Sequence, residues 1–83
     1  MKDHQRALAA LAATIAEHSL PEPAYVMIYA PNPKYLTANA VYSDPPAALI
    51  GPDWRVTAGG TPVSVSRRDG VVVELHAAKA VEA

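Results

Sequence analysis

The chain has 83 residues, with seven Lys or Arg against eight Asp or Glu, and it contains no cysteine. It is about half as long as a typical domain of roughly 150 residues, which excludes two domains and leaves room for one thin core. The balanced charge argues against a dedicated nucleic-acid binder, and the lack of cysteine excludes disulfide scaffolds, thiolate zinc sites and cysteine nucleophiles. We therefore expect residues 1–83 to form a single small domain.

The first predicted element is a helix from Asp3 to His18. Its alanines favour a helix, Asp3 can cap the first turn, and the prolines at 21 and 23 stop it. Leu8, Leu11 and Ile15 are spaced to form one apolar stripe. Polar residues interrupt the Ala/Leu run, and no segment reaches the roughly 20 apolar residues that span a bilayer. The chain is therefore predicted to be cytoplasmic, with no membrane partner.

Two strands follow, at residues 25–29 and 36–42, around the sequence Pro31-Asn32-Pro33. A three-residue loop there pairs Ile28 with Leu36 and Val26 with Ala38, and it sets Tyr29 opposite Tyr35. Residues 44–51 then read as a short helical turn that is capped by an aspartate and ended by a glycine.

The last block, residues 54–77, is predicted to be a three-stranded meander. A two-residue Gly59-Gly60 turn pairs Val56 with Val63 and Trp54 with Val65. At the next turn, a three-residue loop ending at Gly70 is preferred over a two-residue Asp69-Gly70 turn. Only the longer loop keeps the valines of the middle strand on one apolar face with those of the last. The expected fold is α+β: an N-terminal helix on one antiparallel sheet of about five strands, in the order α-β-β-short helical turn-β-β-β.

The residues that carry chemistry form no recognisable active site. His4 and His18 are separated by 14 residues, about 21 Å of helix, which is too far to share a metal. The carboxylates are scattered over caps and turns, and the Gly59-Gly60-Thr61 segment lacks the lysine of a phosphate loop. We therefore predict that the protein is not an enzyme and binds no metal or cofactor. The candidate phosphate contacts are Arg55, Arg67 and Arg68.

The predicted sheet face away from the helix carries aromatic side chains on its first hairpin. Tyrosine and methionine are enriched at interface cores, so this face is the predicted interface, formed by Tyr25, Met27, Tyr29 and Tyr35. One alternative stays open at this point, namely that the 43–53 segment folds over the tyrosines as a small second core.

The run LAALAATIAEHSLPEPAYVMIY, from Leu8 to Tyr29, combines an Ala/Leu helix with a Leu-Pro-x-Pro break before a strand. In this it resembles small α+β proteins of high-GC actinobacteria and their phages. The resemblance implies a phage or accessory role and transfers no catalytic motif.

The predicted function is a small protein–protein interaction or assembly module. We expect it to act as a homodimer or on a larger protein. The alternative is a weak single-stranded nucleic-acid binder that stacks bases on the same tyrosines; its few basic flanking residues make nucleic acid the less favoured partner.

Overall fold

The computed structural model describes residues 2–29, 36–44 and 54–79, and these form one helix and a five-stranded sheet. The elements are α1 (Asp3–Glu17), β1 (Tyr25–Tyr29), β2 (Thr37–Tyr42), β3 (Arg55–Val56), β4 (Pro62–Arg68) and β5 (Val71–Ala77). The α+β class is confirmed. The predicted helical turn at 44–51, apart from Asp44, and the Pro31-Asn32-Pro33 loop lie outside the described residues.

The sheet is mixed, with strand order β1-β2-β5-β4-β3, so the prediction of a purely antiparallel sheet is wrong. Neighbouring strands are antiparallel except β2 and β5, which run parallel at the centre. The last strand of the meander, β5, pairs with β2 of the first hairpin. That arrangement places β2 and β5, each of which alternates buried and half-buried residues, in the middle of the sheet.

Helix α1 begins and ends with hydrogen-bonded caps. At its start, the backbone N–H of Lys2 donates to the side-chain oxygen of Gln5 at 3.3 Å, so Lys2 rather than Asp3 occupies the cap position. At its end, Leu20 N–H donates to Ile15 O and Ser19 N–H donates to Ala16 O, the pair of bonds that defines a Schellman motif. Ser19 takes the left-handed conformation that this motif requires, with φ of 53°.

The helix packs its alanine-rich side on the two central strands. Its buried residues are Ala7, Ala10, Leu11 and Thr14, whereas Leu8 is 43% exposed and Ile15 half-buried. The buried side of the helix is therefore rotated by part of a turn from the predicted stripe of Leu8, Leu11 and Ile15. Small side chains meet small side chains here, because β2 presents Ala38 and Ala40 to the helix, which permits close approach.

The core is completed by larger residues on the helix side of the sheet. Leu36, Val71 and Val73 are the largest fully buried side chains, and Tyr42 and Leu75 lie beside them. Trp54 is half-buried and packs against this cluster. Its predicted strand partner, Val65, lies on the other face of the sheet.

Both turns of the meander have loop lengths opposite to the predicted ones. Arg68 pairs with Val71 across a two-residue Asp69-Gly70 turn, and both turn residues have positive φ, as a type I′ turn demands. The other hairpin pairs Arg55 with Val63, and Thr57 N–H donates to Thr61 O, which leaves a three-residue loop with Gly60 at φ of 85°.

These turns rotate β4 relative to the prediction. Ser64 and Ser66 lie opposite Leu75 and Val73 on the helix side, so Val63 and Val65 project from the other face. The first hairpin also differs: Ile28 pairs with Ala38, Val26 with Ala40, and Tyr29 with Thr37 rather than Tyr35.

Candidate functional site

The sheet face opposite α1, which we call the open face, carries three of the four predicted interface residues, Tyr25, Met27 and Tyr29. The strand register arranges it in three rows that run across the sheet. The first row is Tyr25, Val41, His76, Val63, Arg55; the second is Met27, Asn39, Glu74, Val65; the third is Tyr29, Thr37, Val72, Arg67.

The open face is apolar at the β1 side, polar in the middle, and mixed at the other side, where Val63 and Val65 lie beside Arg55 and Arg67. Its most exposed large side chains are Tyr25 at 55%, Met27 at 54%, Tyr29 at 66% and Val65 at 59%. No helix or strand within residues 2–29, 36–44 and 54–79 packs over these side chains. Such a concentration of exposed aromatic and aliphatic surface is typical of a contact site for another molecule.

A small polar group lies at the centre of the open face. Nε2 of His76 is 3.3 Å from Oδ1 of Asn39, and because an amide oxygen can only accept, the imidazole donates. The same nitrogen lies 3.9 Å from Oε1 of Glu74. These three side chains therefore interact with one another across β2 and β5, between the tyrosines and the valines.

The arginines named as phosphate contacts divide between the two faces. Arg55 and Arg67 lie on the open face, at the side of the sheet away from β1. Arg68 lies on the helix side, where its guanidinium forms an ion pair with the carboxylate of Glu17 at the end of α1. The three arginines therefore do not form one basic cluster. The fourth predicted interface residue, Tyr35, lies outside the described residues.

Residues that sequence reasoning assigned to the core, Val63 and Val65, belong to the open face. Asn39 was missed altogether. The sequence feature that indicates the correct face of Val63 and Val65 is the Asp69-Gly70 dipeptide. Its preference for a two-residue type I′ turn sets the register of β4.

A polar cleft of about 720 Å³ lies between the end of α1 and β4. Its lining includes Thr14, His18, Ser64 and Ser66. Thr14 Oγ1 donates to Ala10 O at 2.9 Å, and Nδ1 of His18 lies 3.0 Å from Thr14 O. Thr14 and His18 are therefore engaged with the helix backbone, and Glu17 is paired with Arg68. This cleft holds no assembled set of reactive groups among the residues that the structure describes.

A second groove, of about 540 Å³ and mainly apolar, runs between α1 and β1. The helix contributes Leu8, Leu11 and Ile15, and the strand contributes Tyr25 and Val26. Val26 is 42% exposed here. The first strand is thus exposed on both of its faces, and it is the terminal strand of the described sheet.

No family model matches the chain, and neither a curated protein nor a solved structure resembles it. In the described part of the chain, three or more His, Cys, Asp or Glu side chains are nowhere grouped closely enough to hold a metal ion. The one described helix is too short to cross a membrane. Fold and surface together define a small α+β protein with a two-layer arrangement and an exposed aromatic sheet face.

Proposed function

We propose that this protein is a protein–protein interaction or assembly module whose contact surface is the open face. One observation carries this proposal. The face exposes Tyr25, Met27 and Tyr29 at one side and Val65 at the other, each more than half accessible. Leaving this surface in water costs about 25 cal/mol for each Å² of apolar area, and association removes that cost.

The chemistry of the face suits a protein partner. Tyrosine and methionine provide large contact areas with a polar or adaptable end, and the central Asn39, Glu74 and His76 offer hydrogen-bonding groups that can fix orientation. These polar groups are bound to one another rather than aligned on a serine nucleophile, since Ser64 and Ser66 lie on the opposite face. The arrangement therefore favours binding over catalysis.

Single-stranded nucleic-acid binding is the second candidate, because the tyrosines share a face with Arg55 and Arg67. Base stacking on tyrosines needs phosphate-binding cations close by. Here three or four strand spacings of about 4.8 Å separate β1 from those arginines, and Glu74 lies between them. A gel-shift titration with single-stranded oligonucleotides distinguishes the candidates: salt-sensitive binding that Arg67→Ala weakens supports the second.

The test of the first candidate is association of the purified protein, followed by sedimentation velocity over a range of concentrations. The double variant Tyr29→Glu with Val65→Glu places a charge at each side of the open face. Its control is Val56→Glu, because Val56 is 63% exposed and pairs with Pro62 on the other face. We expect the double variant to lose association and the control to keep it, with unchanged circular dichroism. Equal association of both variants overturns the proposal, whereas a wild-type protein that stays monomeric at every concentration removes the homodimer and leaves a larger protein as the partner.

A further inference from the structure

Strand β1 is an edge of the sheet, and no helix or strand among the residues that the structure describes pairs with its outer side. Edge strands are normally shielded by lysines, prolines, bulges or shortness. The opposite edge follows that rule, since β3 has two residues and includes Arg55. By contrast, β1 has five residues, Tyr-Val-Met-Ile-Tyr, with no charge and no proline, and none of them is fully buried.

The backbone groups of Val26 and Ile28 point out from this edge. On β2, Leu36 O accepts from Val72 N–H and Tyr42 O accepts from Ala78 N–H, so the even-numbered residues of β2 bond to β5. The odd-numbered residues of β2 therefore face β1, and the bond from Ala24 N–H to Val41 O agrees. Their register partners on β1 are also odd-numbered. Because backbone direction alternates along an antiparallel strand, the even-numbered residues of β1 face outward.

The side-chain sequence of β1 reads the same in both directions by chemical type. Tyrosine, an aliphatic residue, methionine, an aliphatic residue and tyrosine follow one another. A second copy related by a two-fold axis through Met27 therefore matches it position by position. Tyr25 faces Tyr29 of the partner subunit, Val26 faces Ile28 of the partner subunit, and the two methionines face each other.

This register is also the one that satisfies the backbone. Antiparallel strands exchange hydrogen bonds only between residues whose amides point toward each other. With the axis at Met27, the outward groups of Val26 meet those of the partner's Ile28, and the reverse, which gives four hydrogen bonds. Moving the axis to Val26 or Ile28 leaves residues at one end of the strand unmatched.

We infer that β1 is a homodimerisation edge: two copies pair antiparallel across Met27 into one continuous ten-stranded sheet. This inference rests on the proposed function and identifies its first partner as a second copy of the chain. It joins two open faces into a single surface, with both pairs of tyrosines at the centre. Edge pairing buries at most the roughly 400 Å² that the side chains of β1 expose on each copy, given about 200 Å² per aromatic side chain, which places the dimer among small, weak interfaces.

The first test uses matched proline variants. Val26→Pro removes an outward N–H from β1, and proline is tolerated on edge strands where the lost N–H does not face the sheet. Val56→Pro does the same on the other edge, because Thr57 N–H faces β4 and the N–H of Val56 therefore points outward. Sedimentation equilibrium should show a dimer dissociation constant raised by about tenfold or more for Val26→Pro and unchanged for Val56→Pro.

The second test is a disulfide crosslink, which does not require a proline substitution that could unfold the protein. The chain has no cysteine, so each single-cysteine variant carries one thiol. Met27→Cys brings two thiols together at the axis, in a non-hydrogen-bonded pair with Cα atoms about 4.5 Å apart, within the range of a disulfide. Val65→Cys is the control, since Val65 is 59% exposed on the same face but three strands away. Oxidised glutathione should crosslink the first variant much faster than the second.

The outcomes separate this inference from the proposed function. If Val26→Pro leaves association intact while Val65→Glu abolishes it, copies stack through their open faces, and edge pairing is overturned while the function stands. If Val26→Pro abolishes association and Val65→Glu has no effect, edge pairing stands and the contact surface is limited to the β1 side of the open face. The inference is overturned if both cysteine variants crosslink equally or if the wild type is monomeric at all concentrations. Binding of an extended peptide at β1 would instead assign the edge to a different partner.

Discussion

The phenol of Tyr42 donates a hydrogen bond of 2.9 Å to the backbone carbonyl oxygen of Pro21. The bond connects the last residue of β2 to the segment that leads from α1 into β1. Tyr42 is only 3% exposed, and burial raises the pKa of its hydroxyl above 10.0. One side chain therefore both fixes the path between helix and sheet and makes the fold sensitive to alkaline pH.

Tyr42→Phe is expected to lower the free energy of unfolding by about 1 kcal/mol near neutral pH, because the carbonyl of Pro21 loses its donor. In the wild type, the unfolded chain ionises this phenol at a lower pH than the folded chain. The stability that Tyr42 contributes is therefore complete below about pH 10 and is lost as the pH rises through the folded-state pKa.

Urea denaturation of both proteins at about pH 8 and about pH 10.5 measures this effect. The difference in the free energy of unfolding between the wild type and Tyr42→Phe should be smaller at the higher pH. Tyr25→Phe serves as the control, because Tyr25 is exposed and should leave the free energy nearly unchanged. A difference that stays constant with pH contradicts the role given to Tyr42.

Ser19→Gly should stabilise the protein by about 0.5–1 kcal/mol. Ser19 occupies the left-handed position after α1, with φ of 53°, where a Cβ is unfavourable and glycine is not. Ser19→Ala keeps the Cβ and should bring no gain. Thermal melting of the two variants measures this difference. An equal melting temperature for both would show that the backbone strain at Ser19 is negligible.

Gly70→Ala should destabilise the protein by about 1 kcal/mol or more, because φ of 77° at Gly70 is required by the two-residue turn. Gly59→Ala provides the comparison. A Cβ at Gly59 would meet only Thr57 Oγ1, at an ordinary contact distance of 3.9 Å. We expect urea denaturation to separate the two variants clearly; comparable losses would contradict the loop lengths described for the meander.

Trp54→Ala should cost about 2 kcal/mol. This is less than the 3–5 kcal/mol typical for a fully buried aromatic residue, because Trp54 is half-buried at the border of the core. The midpoint of urea denaturation, compared with that of Val56→Ala on the exposed part of β3, measures the loss. A midpoint within error of that control would place Trp54 outside the core.

The local elements could be predicted from the sequence because neighbouring residues determine them. The helix bounds follow from the alanine run and the prolines at 21 and 23, and the strands of both blocks fall within a few residues of their predicted positions. The tyrosines and methionine of β1 were likewise placed on the face away from the helix, since alternation along a strand fixes the sides of its residues relative to one another.

Only the tertiary structure decided how the two strand blocks join and which way β4 turns its valines. The parallel pairing of β2 with β5 links residues about 35 apart in the chain, and no local preference encodes that choice. The pattern of valines and serines in β4 favours a register with Val63 and Val65 in the core, and that register is wrong because the loop length at the turn, rather than hydrophobicity, sets the pairing. The type I′ turn at Asp69-Gly70 selected the observed register instead, and Val63 and Val65 became part of the open face rather than the core.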